Sequence, residues 1–133
     1  MAPPKLRNDY CADTGYWIAL LDPQDNLHQR AKSLTGSLTS TKIVTTEMVF
    51  TEVLNAFSKR GSFLRGSAVT LIKGIGINPD IDVVPQTSEL FYTALELYSQ
   101  RPDQSWSHTD CASFCIMQQR NIQEALAYDH HFE

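Results

Sequence analysis

Four short runs of β-forming residues, at about 10–13, 42–45, 81–84 and 124–128, are each separated from the next by stretches of helical periodicity. Leu27, Ala31, Leu34 and Leu38 recur at helical spacing. So do Ala68, Leu71, Ile72 and Ile75, and then Leu90, Phe91, Ala94, Leu95 and Leu97. A shorter helical turn or two runs through 16–21. Thr45 or Thr46 can cap a helix that continues to about Arg60 and stops at Gly61, and a further helix spans 107–120. Strands alternating with helices predict an α/β layered domain with a mostly parallel sheet, because parallel neighbours need crossover connections and the helices supply them. In such sheets ligands bind beyond the carboxyl ends of the strands.

At 133 residues the chain has room for one domain, and no repeat or linker divides it. A composition of 42% hydrophobic and 20% charged residues, with 6 Gly and 6 Pro, argues against disorder, collagen and coiled coil. The longest apolar run, 16–21, falls far short of the ~20 residues of a membrane span, and the polar start lacks a secretory apolar core. The expectation is a cytoplasmic protein with no membrane association. Three cysteines, two of them one helical turn apart, fit reduced apolar thiols better than disulfides. A zinc site from His108, Cys111, Cys115 and one of His130 or His131 matches no common ligand spacing.

The strand ends carry acids. Asp13 closes the first strand and Asp129 the last, so both belong to one edge of a parallel sheet. Asp110 lies in the first turn of the helix that leads into the last strand. Glu52 is flanked by Val49, Val53 and Ala56 on a helix whose polar face holds Thr51, Asn55 and Ser58. A carboxylate on an apolar face is costly unless it is paired, protonated or bound to a cation. Each acid also has an ordinary explanation. Asp13 can cap the helix that follows, Asp110 completes a Ser-x-x-acid capping box from Ser107, Asp129 can start a turn, and Glu52 can snorkel or meet an arginine. Their coincidence favours a cluster. Like charges brought close ask for a cation, and hard oxygen donors favour Mg²⁺ or Mn²⁺. Such an ion suits hydrolysis of phosphate esters.

Three blocks, in this order, resemble the PIN domain: Ala12-Asp13-Thr14-Gly15-Tyr16-Trp17, then Thr45-Thr46-Glu47-Met48-Val49-Phe50-Thr51-Glu52, and the closing pair Ser107-His108-Thr109-Asp110 and Ala127-Tyr128-Asp129-His130-His131-Phe132. A single-domain chain of this size is similar to VapC-type toxins of toxin–antitoxin pairs. The resemblance implies a three-layer α/β/α domain over residues 9–133, preceded by a flexible tail at 1–8. It implies a Mg²⁺- or Mn²⁺-dependent endoribonuclease with Asp13, Glu52, Asp110 and Asp129 as catalytic and metal-binding residues, and with Thr14 supporting a ligand or water. A cognate antitoxin protein and a homodimer are its expected partners. A short first strand with polar residues upstream, Arg7-Asn8-Asp9-Tyr10, departs from the longer apolar run usual in the family.

Eleven basic against fifteen acidic residues give a net charge of −4, which excludes a generally basic nucleic-acid binder. A local strip remains: Lys59, Arg60, Arg65 and Lys73 occupy 53–79 without one acid among them. It reads either as a seat for an RNA backbone or as a solvated helix face. Tyr16 and Trp106 read either as base-stacking or as packing residues. Two functions of different class stand: a metal-dependent ribonuclease, toxin or housekeeping, and a PIN-like scaffold that binds RNA or protein without cutting. Retention of all four acids favours the enzyme.

Overall fold

The computed structural model describes residues 9–38 and 41–126. Within them β1 (Tyr10–Ala12), α1 (Thr14–Leu21), α2 (His28–Ser37), β2 (Ile43–Thr46), α3 (Glu47–Phe57), α4 (Ser62–Gly76), β3 (Ile81–Val84), α5 (Ser88–Gln100), α6 (His108–Arg120) and β4 (Glu124–Leu126) follow in chain order. The strands form one sheet in the order β3-β2-β1-β4, every neighbouring pair parallel. Tyr10 pairs with both Ile43 and Glu124, and Ala12 with Leu126, which fixes the register at the edge where the strands end.

Two successive crossovers lead from β1 to β2 and from β2 to β3. The third returns from β3 across the whole sheet to β4. Crossovers of one hand that travel in opposite directions place their helices on opposite faces. Two separate cores result. Tyr16, Ala31, Val49, Val53, Phe57 and Ala68 belong to the layer built from α1 to α4. Cys11, Val44, Leu90, Ala94, Cys111 and Ile116 belong to the α5–α6 layer. Cys11 and Ala12, adjacent in β1, fall in different cores, as the two-residue side-chain period of a strand requires. The architecture is thus the expected α/β fold in three layers.

Several boundaries differ from expectation. Helix α3 ends at Phe57, and Gly61, at φ +91°, starts α4 instead of merely stopping α3. Only glycine takes that left-handed conformation without strain. Helix α4 starts at Ser62, ahead of its first fully buried side chain, Ala68, because Leu64 already packs against the core. On α3, Ala56 is exposed. The buried face is set by Val49, Val53 and Phe57, which leaves Glu52 at the border of that face rather than at its centre.

Candidate active site

The sheet changes winding direction at β1. The chain leaves β1 toward β2, whereas its other neighbour, β4, is reached last. The crevice beyond the carboxyl ends of β1 and β4 is where an open α/β sheet binds its ligand. Asp13 lies there, only 3% exposed. Its N–H donates to the Leu126 carbonyl of β4 at 3.2 Å, and its Oδ1 accepts from Tyr16 N at 3.4 Å as the N-cap of α1. The preceding Ala12 carbonyl accepts from the fully buried Thr45 hydroxyl at 2.9 Å. That hydroxyl in turn accepts from Trp17 Nε1 at 3.2 Å. The Ala12–Asp13 peptide is therefore gripped from β2 on one side and from β4 on the other. Sequence reasoning missed Thr45 because a threonine in a strand carries no signal of what its hydroxyl meets. Its neighbour Thr46 is the one that caps α3, accepting from Val49 N at 3.1 Å.

Thr14, the first residue of α1, donates its hydroxyl to Glu52 Oε1 at 2.6 Å. This bond fastens α3 to the start of α1 and brings the Glu52 carboxylate to the residue next to Asp13. No arginine is needed to explain a carboxylate at the border of an apolar face, since a hydroxyl already meets it.

Asp110 sits in the first turn of α6, 8% exposed. The expected capping box is present. Ser107 Oγ accepts from Asp110 N at 3.0 Å, and Asp110 Oδ2 accepts from Ser107 N at 2.9 Å. Because α6 feeds the start of β4, its N-terminus lies at the edge where the strands end. Cys11, two residues before Asp13, packs in the same core as Cys111, the residue after Asp110. Asp13 and Asp110 thus extend from adjoining segments of β1 and α6. Asp129 falls outside the described residues, as do His130, His131 and the tail at 1–8. Among the described residues no three His, Cys, Asp or Glu side chains form a group able to hold a metal.

The three cysteines are free and buried. Burial first, then the nearby Asp13 charge, pushes the Cys11 thiol up to about 12, against lowering contributions from Ser113 and Arg120. Burial also raises Cys111, where the Asp110 charge adds to it, and Cys115. His108 is engaged with the Phe91 carbonyl at 2.8 Å. That bond occupies one nitrogen of the His108 ring, and the remaining candidates for a zinc ligand, His130 and His131, lie outside the described residues.

The basic residues separate into different environments. Arg60 is paired with the buried Asp22 at 3.0 Å and lies over the Phe57 ring. Arg65 donates to the Ser58 carbonyl at 2.8 Å, and Lys59 stands exposed in the turn between α3 and α4. Lys73 lies in the last turn of α4, which delivers the chain to the start of β3, the sheet edge opposite the acids. Tyr16 is fully buried with its hydroxyl bonded to Thr35 Oγ1, so it is a packing residue. A cleft of about 500 Å³ lined by Tyr16, Leu20, Leu38, Ile43, Ile75 and Ile81 also lies toward the strand starts, away from the acids.

The model of the PIN domain matches residues 10–133. Two curated relatives, both the 23S rRNA-specific endonuclease VapC20, from the CDC 1551 / Oshkosh and H37Rv strains of Mycobacterium tuberculosis, are 28% identical over 120 residues. That span is 90% of this chain and 88% of theirs. The crystal structure of M. tuberculosis VapC20, described as a sarcin–ricin loop cleaving toxin, superposes with a TM-score of 0.81 at 27% identity, covering 92% of each chain. With the strand order, the acids at the strand ends and this match over nearly its whole length, the chain belongs to the PIN domain family.

Proposed function

We propose that this protein is a divalent-metal-dependent endoribonuclease, the toxin of a toxin–antitoxin pair, acting on 23S rRNA at the sarcin–ricin loop. The observation that carries the reading is the placement of two buried carboxylates, Asp13 and Asp110, at the strand-end edge, with Glu52 tethered beside Asp13 by Thr14. Supporting the substrate are the VapC20 relatives, a 23S rRNA-specific endonuclease and a sarcin–ricin loop cleaving toxin.

The donor chemistry fits Mg²⁺ or Mn²⁺. Asp13, Glu52 and Asp110 offer carboxylate oxygens, the cysteines nearby are held neutral, and Asp129 is the fourth acid. When bound, such an ion lowers the pKa of water and stabilises charge on the phosphoryl and leaving oxygens. Asp13 and Asp110, whose backbones are fixed by helix caps, would hold it through their carboxylates. Glu52, oriented by Thr14, would align the attacking water and receive its proton. Lys59 and Arg65 are the strip residues left to hold RNA phosphates, since Arg60 is engaged by Asp22 and Lys73 lies in the last turn of α4, toward the strand starts. A ribosomal substrate implies a cytoplasmic site of action, and none of the described helices is long and apolar enough to cross a membrane. An antitoxin and a second copy of the chain complete the proposal. Exposed apolar side chains such as Phe63 and Ile77 supply surface for partners.

The test is incubation of the purified protein with a sarcin–ricin stem-loop RNA in Mg²⁺, in Mn²⁺ and in EDTA. Cleavage is expected with either ion, none in EDTA, and none by Asp13→Asn. Absence of cleavage with both ions, together with no Mn²⁺ binding by calorimetry, overturns the reading.

A further inference from the structure

The α5–α6 connection builds a second feature directly beside Asp110. The Arg101 guanidinium lies 5.0 Å over the Trp106 ring and makes two 3.0 Å hydrogen bonds to Asp103. Trp106 is itself fixed by an edge contact to Phe114, with centroids 4.7 Å apart and planes at 60°. These two planar groups, the half-exposed Tyr98, Ser99 and Gln104 line a pocket of about 310 Å³, to whose wall Pro102 and the buried Cys111 also belong. Only one peptide link separates Trp106 from the Ser107 N–H that the Asp110 carboxylate accepts.

We propose that this pocket is a nucleobase subsite, taking one unpaired base of the RNA next to the scissile phosphate. The inference rests on the ribonuclease reading above and specifies where that substrate is gripped. Aromatic rings and arginine planes are the surfaces on which unstacked bases settle. Charge decides between base and phosphate. Arg101 is already neutralised by Asp103, so the pocket offers flat, nearly uncharged walls rather than a free cation for an anion. The volume lies at the small end of ligand pockets, in keeping with a single ring system. Ser99 and Gln104 provide hydroxyl and amide groups to meet a base edge. Because Trp106 is packed against Phe114 before any ligand arrives, stacking on it costs little ordering of that side chain.

The experiment measures binding of a synthetic sarcin–ricin stem-loop by fluorescence anisotropy, using Asp13→Asn protein so that the RNA survives. A parallel set of stem-loops is made abasic at one loop position at a time. Trp106→Ala is expected to weaken binding of the intact RNA about tenfold, and Trp106→Phe to restore most of it. One abasic RNA should show the same loss and be indifferent to Trp106→Ala. Equal affinity of folded Trp106→Ala for the intact RNA overturns the proposal. So does an undiminished effect of that substitution on every abasic RNA. Should Trp106→Ala fail to fold, Tyr98→Ala, from the half-exposed wall, is read by the same two criteria. If the wild-type protein neither binds nor cuts RNA, the ribonuclease reading fails and the subsite falls with it. Cleavage by wild type with unchanged binding by the variants removes the subsite alone.

Discussion

Thr14 donates its hydroxyl to Glu52 across 2.6 Å, so the residue that follows the first acid of the site orients the second. A hydrogen bond to a charged group contributes about 1.5–3 kcal/mol. Glu52→Gln is expected to lower single-turnover RNA cleavage by roughly 100-fold or more if it receives the proton of the attacking water. Thr14→Val should lower cleavage roughly tenfold or more by releasing the carboxylate, and Thr14→Ser should recover most of the loss. Wild-type rates in Thr14→Val would show that the hydroxyl does not orient Glu52 for catalysis.

Asp110 serves a helix cap and, in the proposal, a metal, and these roles come apart by substitution. Asn at 110 can still accept from Ser107 N–H, so Asp110→Asn should change the melting free energy by less than ~1 kcal/mol while removing cleavage and Mn²⁺ binding. Ser107→Ala removes the reciprocal cap and should cost about 1 kcal/mol of stability, with cleavage reduced but present. Calorimetry and a cleavage assay on the same two variants check both roles.

Layer architecture was legible because it depends on periodicity, and periodicity is written locally: β3, α5 and α6 stand where their patterns put them, to within a residue. Ser107 and Asp110 were legible as a capping box for the same reason, all their partners lying within one turn. Contacts between elements were not. Arg60 read as part of a basic strip, yet it meets Asp22 across 38 positions, and nothing in either local segment announces the pairing. The role of Glu52 was half legible. An acid beside Val53 signalled something unusual, but helical spacing placed Ala56 in the core when tertiary packing left it exposed.

Thr45 illustrates a second-rank residue with a large expected effect. Its buried hydroxyl donates to Ala12 O and accepts from Trp17 Nε1, so Thr45→Val strands two buried polar groups at once. The expected cost is about 1–3 kcal/mol per unsatisfied group, with a lower melting temperature. Cleavage should fall further than stability alone explains, since the Ala12–Asp13 peptide loses its hold from β2. Thr45→Ser keeps the hydroxyl and should restore cleavage more completely than it restores stability, having given up a buried methyl. Proportional recovery of both would mean that Thr45 only stabilises the fold.

The basic residues are expected to divide by salt dependence. Lys59→Ala and Arg65→Ala should weaken stem-loop RNA binding and reduce the slope of log affinity against log salt by about one each, as loss of a phosphate contact does. Arg60→Ala should leave that slope unchanged. Titrations at several salt concentrations decide whether the strip acts as a unit or through these two members.

Arg60 instead carries a pH signature through Asp22. The Gln24 N–H at 3.0 Å and then the Arg60 guanidinium hold the Asp22 carboxyl below its usual value, against the opposing effect of burial. A carboxylate depressed in the folded state binds its proton more weakly there than in the unfolded chain. Its stabilising contribution is complete above the unfolded value of about 3.9 and is lost as pH falls through the lower folded value. Melting temperatures measured from neutral pH down through this acid range should fall more steeply for wild type than for Asp22→Asn, which has no charge to lose. Arg60→Ala should lie between them, keeping the Gln24 bond and giving up the ion pair. At neutral pH the same substitution should cost roughly 1 kcal/mol, the scale of a partly exposed ion pair. Parallel acid limits in all three proteins would remove Asp22 from the account of acid stability and leave Arg60 available to RNA after all.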